Sequence, residues 1–132
     1  MTSMAEFEYM SASELALPAD AIVIRIPGQI DKLNLVRLLA RELHFPAYFR
    51  ANWDAFEECL RDLSWCSQQQ PIVLLHLGLP LARRADQRAI YVDILRGAIE
   101  AQRQRQGPPL RAIFPPNCRQ AIRACLDAAN DS

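Results

Sequence analysis

Three carboxylates follow one another at one-turn intervals in a short stretch of the chain. Asp54, Glu58 and Asp62 stand at i, i+4 and i+8, so in a helix they form one row with no cation between them. Each like-charged i,i+4 pair destabilises an isolated helix by roughly 0.2–0.5 kcal/mol. Only Asp54 is close enough to a helix N-terminus to recover part of that cost from the helix dipole. Such a row is either a solvated face or a surface that binds a cationic partner.

The residues around the row predict where its helix begins and which face is buried. Pro46 ends the preceding helix, because its ring and missing N–H cannot continue the hydrogen-bond ladder. Asn52 then predicts an N-cap, with its side-chain oxygen accepting from a backbone N–H one turn further on. The apolar face of the predicted helix recurs at i, i+3, i+7 and i+10, in Trp53, Phe56, Leu60 and Leu63.

A loop with two aromatic residues, Tyr48 and Phe49, leads into this helix, and such residues are typical of binding surfaces. Loop and helix together resemble the barstar family, the intracellular inhibitors of the ribonuclease barnase and their bacterial relatives. The resemblance covers roughly residues 21–114. It rests on Leu43-His44-Phe45-Pro46-x-Tyr48-Phe49, on Asn52-Trp53-Asp54-Ala55-Phe56 and on Cys59-Leu60.

The resemblance implies a protein that imitates phosphate, in which acidic side chains enter a ribonuclease active site lined with Arg, Lys and His. It makes Tyr48 the aromatic contact of the loop, Asn52 the cap and a polar contact, and Asp54 the first carboxylate. Glu58 stands where the family has its central aspartate. The predicted partner-binding residues are Tyr48, Asn52, Asp54, Glu57, Glu58 and Asp62.

Several positions differ from the family pattern. Arg50 stands in place of a loop glycine, Glu57 in place of a tryptophan and Arg61 in place of a threonine. Near Gly97 the acidic contact that the family takes from a later helix has no counterpart, although Glu100 lies one turn beyond. The favoured partner is a basic ribonuclease or toxin, and an interaction module for a partner that is not a nuclease is the alternative.

Direct RNA binding is the second alternative. Phosphate contacts require clustered cations, and the candidates are Arg83, Arg84, Arg88, Arg103, Arg105 and Arg111. Solvated loops and helix ends explain the same residues, and we prefer that interpretation. We therefore expect no direct contact with nucleic acid.

Composition agrees with a small globular protein. The 132 residues, 51% of them hydrophobic, suit one domain with a core that needs no metal or disulfide. The net charge is zero, but it is divided unevenly. Residues 1–62 contain ten acids and six bases, whereas residues 63–132 contain five acids and nine bases. The acidic half carries the row of carboxylates.

No pattern for catalysis, a metal or a cofactor is present in the sequence. Neither a Gly-x-Gly-x-x-Gly motif nor a P-loop occurs, and no close Cys or His pairs predict zinc. His76 has no Ser, Cys or carboxylate in a catalytic arrangement and is interpreted as packed or hydrogen-bonded. We expect a protein that is not an enzyme and has no cofactor or metal. The four thiols are expected to be reduced and mostly buried: Cys59, Cys66, Cys118 and Cys125.

Targeting signals are also missing from the sequence. The N-terminal residues do not read as a signal peptide, and the longest apolar stretch, 71–82, is too short to span a bilayer. We therefore expect a cytoplasmic protein with no membrane contact.

The remaining pattern predicts three strands separated by helices. The strands are 21–26, 71–77 and 110–114, and the helix N-caps are Asp31, Asn52, Asp86 and Asn117. Strands joined through helices imply a parallel sheet with right-handed crossovers. The predicted fold is α/β, with a small three-stranded parallel sheet packed with helices, barstar-like, plus an extra C-terminal helix. We expect a single domain, 1–132, divided into a leader (1–19), a core (20–115) and the additional helix (117–129).

Overall fold

In the computed structural model of the chain, the described residues form four strands and four α-helices. The structure describes residues 7–11, 13, 15–46, 50–66 and 70–130, and residues 128–130 are described as backbone alone. The elements in chain order are β1 (Phe7–Tyr9), β2 (Ile22–Ile26), α1 (Lys32–Glu42), α2 (Trp53–Asp62), β3 (Ile72–His76), α3 (Ala85–Arg105), β4 (Leu110–Phe114) and α4 (Arg119–Asn130).

The strands form one parallel sheet in the order β1-β4-β3-β2. The predicted α/β class and parallel pairing are confirmed, but the prediction of three strands is wrong. The fourth strand, β1, lies in the segment predicted as a leader and pairs with β4, Phe7 opposite Ala112. Three residues are too few to show the alternation that marks a strand. A bidentate ion pair joins Arg111 of β4 to Glu8 of β1, with N–O distances of 2.8 and 2.7 Å, and holds the two strands together.

The segment after β1 covers one face of the sheet. On this face Val73, Leu75 and Ile113 form a small buried cluster. The side chains packed against the cluster are Met10, Leu15, Leu17, Ala21 and Val23. Because the helices cover the other face, every residue of β3 is buried.

All four helices contribute to the main core on the other face. There the alternate strand residues Ile24, Leu74 and Ala112 meet the apolar faces of the helices. The apolar face of α1 includes Leu35 and Leu39, which are both fully buried. Among the described helices, none combines the length and apolarity needed to cross a membrane.

Two of the four predicted N-caps are correct. Asp31 accepts from the Asn34 backbone N–H at 2.9 Å, and Asn52 caps α2 in the same manner. Asp86 instead lies in the first turn of α3, where Arg84 donates two hydrogen bonds to its carboxylate, at 3.1 and 2.9 Å. Asn117 lies within a 3₁₀ turn, Pro116–Cys118, and α4 begins after it. At Asp86 the bonds from Arg84 compete with capping, and at Asn117 the 3₁₀ turn moves the start of α4 beyond the residue.

The four cysteines are free thiols in the structure; Cys59, Cys118 and Cys125 are buried and Cys66 is partly exposed. Burial raises the pKa of the Cys59, Cys66 and Cys118 thiols above the ordinary value. A raised thiol pKa keeps the thiolate population low, so these cysteines behave as small apolar side chains.

Candidate partner-binding site

The start and end of α2 are set by its two flanking residues. Asn52 has extended backbone (φ −132°), and its Oδ1 accepts from the Ala55 N–H at 2.8 Å. Leu63 ends the helix in a left-handed conformation (φ 46°), with its N–H donating to the Cys59 carbonyl at 3.1 Å. The carboxylates of the predicted row therefore lie on a helix with defined ends.

The apolar face of α2 holds the helix against the core. Phe56 and Leu60 are fully buried, and the Phe56 ring centre lies 6.2 Å from that of Tyr91 on α3. The Trp53 indole N–H donates to Gln87 Oε1 at 2.7 Å. Lys32 Nζ lies 5.2 Å from the centre of the Trp53 ring, on its face. These contacts fix the rotation of the helix and leave the carboxylate row on its outer side.

The structure divides the predicted row into two parts. Asp54 and Glu58 are exposed, and within the described part of the chain neither has an ion-pair partner. Asp62, by contrast, pairs with Arg105 of α3 at 3.3 Å, and Arg105 also donates to the Arg61 and Asp62 carbonyls. The charges of the row are therefore unpaired at Asp54 and Glu58, whereas an arginine from another helix already pairs with Asp62.

Glu57 lies on the flank of this face and is already neutralised. Arg61 pairs with it at 3.5 Å, one turn along the same helix. The Arg61 guanidinium rests over Gly97 of α3, where an added Cβ would lie 2.7 Å from Arg61 Nη1. The unpaired negative charge of α2 is thus concentrated on Asp54 and Glu58.

Of the two remaining predicted contacts, Asn52 and Tyr48, the structure describes only Asn52. Asn52 is exposed, and its Oδ1 accepts the capping hydrogen bond. The NH₂ group of the side chain is left to face solvent. Tyr48 lies outside the described residues. Three residues position the site from other elements, Lys32, Gln87 and Arg105. Sequence reasoning assigned none of them to this site and considered Arg105 only as a candidate for RNA binding. Their partners lie 21 to 43 residues away along the chain, so no local pattern joins them.

His76 is structural, as its surroundings in the sequence predicted. Its Nδ1–H donates to the Ile113 carbonyl at 3.0 Å, its Nε2 accepts from the Tyr91 hydroxyl at 2.7 Å, and its ring stacks on Phe114 at 4.0 Å. Burial lowers the pKa of His76 to about 4, and the hydrogen bond with Ile113 opposes only part of this shift. His44 is exposed beyond the end of α1. In the described ranges no three metal-ligating side chains converge.

The contact between Arg61 and Gly97 yields a testable expectation. Replacing Gly97 with Ala should raise the free energy of unfolding by roughly 0.5–1 kcal/mol, because Ala is the better helix residue. Only the flexible end of the Arg61 side chain must move, and its half-exposed ion pair with Glu57 contributes little. Urea unfolding of the two proteins measures the difference.

The same substitution in an Arg61→Ala background is the control, and it should give an equal gain. A loss of stability that appears only when Arg61 is present would contradict the expectation. It would show that the Arg61–Gly97 contact outweighs helix propensity.

The family model Barstar, described as Barstar (barnase inhibitor), matches residues 19–115. The matched range includes β2, α1, α2, β3, α3 and β4, and it leaves β1 and α4 outside. Comparison with curated proteins and with solved structures gives no match.

Proposed function

The chain belongs to the barstar family, and on this premise we propose that it inhibits a basic ribonuclease or a related toxin by covering its active site with residues 47–51 and α2. The observation that carries the proposal is the exposed, unpaired couple of Asp54 and Glu58 on α2. Their mutual repulsion is relieved when a partner supplies Arg or Lys side chains. Charge complementarity of this kind speeds association and blocks the substrate's phosphate site.

The predicted contacts then take different roles. Asp54 and Glu58 are the direct ligands of the partner's cations. Glu57 and Asp62 are paired within the chain and act as flanking charges. Tyr48 and Asn52 complete the surface as the aromatic and polar contacts of the loop. This ranking makes the two unpaired carboxylates the first targets for mutation.

Direct RNA binding is less well supported, because most of the candidate arginines already have partners. Five of the six bond within the chain: Arg84 to Asp86, Arg88 to the Leu81 carbonyl, Arg103 to Glu100, Arg105 to Asp62 and Arg111 to Glu8. An RNA phosphate has to compete with each of these contacts. We therefore favour a protein, and not a nucleic acid, as the binding partner.

In this proposal the protein has no catalytic activity and no cofactor of its own, in keeping with a family that is described as an inhibitor. It acts in the cytoplasm of a bacterial cell. Four free thiols are in keeping with such a reducing compartment.

Inhibition of RNA cleavage tests the proposal directly. The purified chain is titrated against a panel of small basic ribonucleases, starting with barnase, which the family description names, and an acidic ribonuclease serves as control. We expect stoichiometric inhibition of at least one basic enzyme, weaker at high salt because exposed charges are screened. Unimpaired cleavage by every enzyme of the panel would contradict the proposal, and salt-dependent binding of the chain to the RNA alone would favour the RNA-binding alternative.

A further inference from the structure

A groove of about 660 Å³ lies at the carboxyl edge of the sheet, between the β2–α1 and β3–α3 loops. Ligands of open parallel sheets bind at this edge, outside the ends of the strands. The volume is in the range of sites that hold small ligands. No carboxylate of α2 lines the groove, and nothing in the function proposed above makes use of it.

The two loops that form the groove are held rigidly together. The Gln29 N–H donates to the Leu79 carbonyl and the Leu81 N–H to the Ile30 carbonyl, both at 3.0 Å. Gly78 lies against the other loop so closely that a Cβ on it would be 2.9 Å from the Gly28 Cα. The groove is therefore a preformed feature of the fold.

Two residues that line the groove have strained backbone. Gln29 (φ 60°) and Leu81 (φ 53°) both adopt the left-handed conformation that favours glycine. They are also the residues whose N–H groups make the bonds between the loops. Strain that the surroundings enforce in this way is concentrated at binding and catalytic sites.

The floor of the groove is apolar and its free charges are positive. Leu33, with 45% of its surface exposed, lines the groove beside Ile30 and Leu81. Arg83 is exposed and has no ion-pair partner in the described part of the chain. Lys32 contacts the Trp53 ring but no carboxylate among the described residues. The lining carboxylate, Asp31, is used to cap α1.

The groove adjoins the acidic face of α2. Trp53, the first residue of α2, bonds to Gln87 and lies under Lys32, and both of these residues line the groove. Asp54 follows Trp53 directly and points to solvent. A protein seated on Asp54 therefore borders the groove, and it meets negative charge on α2 and positive charge at the groove rim.

From this arrangement we infer that the groove receives a segment of the same protein partner, one that carries an apolar side chain beside a carboxylate. The inference rests on the proposed function for the identity of the partner. The apolar side chain covers Leu33 and Leu81, and the carboxylate faces Arg83 and Lys32. The partner is thus recognised by an acidic apolar segment in addition to its basic active site, which distinguishes it from other basic ribonucleases.

Nuclear magnetic resonance with two blocked peptides tests the groove by itself. The probes are acetyl-Asp-Leu-Phe-Asp-amide and its counterpart with Lys in place of Asp, each added to the full ¹⁵N-labelled chain. We expect the acidic peptide to shift the backbone amide signals of Leu33, Ala82 and Gln87, and the basic peptide to leave them unchanged. Below saturation, Arg83→Glu should reduce these shifts about tenfold, as expected when a surface attraction becomes a repulsion. Arg37→Glu, an exposed charge on α1 outside the groove, should not reduce them.

The outcomes separate this inference from the proposed function. In the Asp54→Asn, Glu58→Gln chain, ribonuclease inhibition should be lost while the peptide shifts persist. Equal shifts with both peptides, or none in the groove, would overturn the inference and leave the inhibition result untouched. Displacement of the acidic peptide by inorganic phosphate, with the same amides shifting, would also overturn it, because the groove would then be a site for a free anion.

Discussion

If the chain inhibits a ribonuclease as proposed, a variant with both Asp54→Asn and Glu58→Gln is expected to lose this inhibition while it keeps its fold. Each substitution leaves a cation of the partner buried without a counter-charge, which costs roughly 2–5 kcal/mol of binding free energy. Even one such loss weakens binding about 30-fold to several thousand-fold. Titration calorimetry with the inhibited ribonuclease, beside the RNA cleavage assay, measures this change.

The stability of the free protein should respond very differently. Removing the repulsion between Asp54 and Glu58 stabilises α2 by roughly 0.2–0.5 kcal/mol. Asp54 lies in the first turn of the helix, so losing its charge costs a similar amount, about 0.3–1 kcal/mol. The two effects nearly cancel, and the thermal melt of the double variant should resemble that of the unaltered chain.

The paired carboxylates provide a matched control on the same helix. Asp62→Asn and Glu57→Gln remove the same number of negative charges, but each of these residues already has an arginine partner within the chain. Their double variant should lose clearly less binding. Unchanged affinity after the loss of Asp54 and Glu58 would remove the acidic face from the mechanism, as would equal losses in both double variants.

Features that depend on a few neighbouring residues could be predicted from the sequence. Asn52 and Asp31 cap their helices because the bonds they make reach only three residues along the chain. The same reasoning failed at Asp86, where Arg84 competes for the carboxylate. It also missed β1, since a three-residue strand carries no periodic signal and is stabilised by β4, about a hundred residues away.

The charge distribution of the site depends on packing between helices, and packing is not visible in local spacing. Asp62 reads as a third member of the acidic row until α3 brings Arg105 beside it. Likewise Trp53 reads as a core residue, and only the fold shows that Gln87 and Lys32 hold it at the boundary of a groove. Composition and spacing identified the acidic helix, whereas the tertiary structure identified which of its charges are unpaired.

Acidification should destabilise the protein through His76. The pKa of this histidine is about 4 in the folded chain, below the ordinary value near 6.5 that we expect after unfolding. Between these two pH values His76 is protonated in the unfolded chain and neutral in the folded chain. The contribution of neutral His76 to the free energy of unfolding is therefore complete above pH 6.5. It declines as the pH falls and is lost below about pH 4. The total loss is roughly 3 kcal/mol, a large share of the 5–15 kcal/mol that typically separates folded from unfolded domains.

Urea unfolding at a series of pH values measures this contribution, with the two histidines of the chain compared. His76→Gln can keep a donor towards the Ile113 carbonyl and an acceptor for the Tyr91 hydroxyl, yet it cannot be protonated in this range. It should be less stable at neutral pH, because the stacking on Phe114 is lost. Carboxylates that titrate below pH 5 affect both proteins, so the difference between their curves isolates His76.

The exposed histidine gives the reference curve. His44→Gln should reproduce the pH dependence of the unaltered chain, whereas His76→Gln should remove the decline between pH 6.5 and 4. Tyr91 links the buried histidine to the binding helix, since its ring centre lies 6.2 Å from Phe56 and 6.4 Å from Trp53. Because His76 in the folded chain takes up a proton only near pH 4, these contacts should persist between pH 6.5 and 4, and ribonuclease inhibition should persist with them as long as the chain stays folded. If the unaltered chain and His76→Gln had parallel curves down to pH 4, the buried histidine would not be the acid-sensitive group.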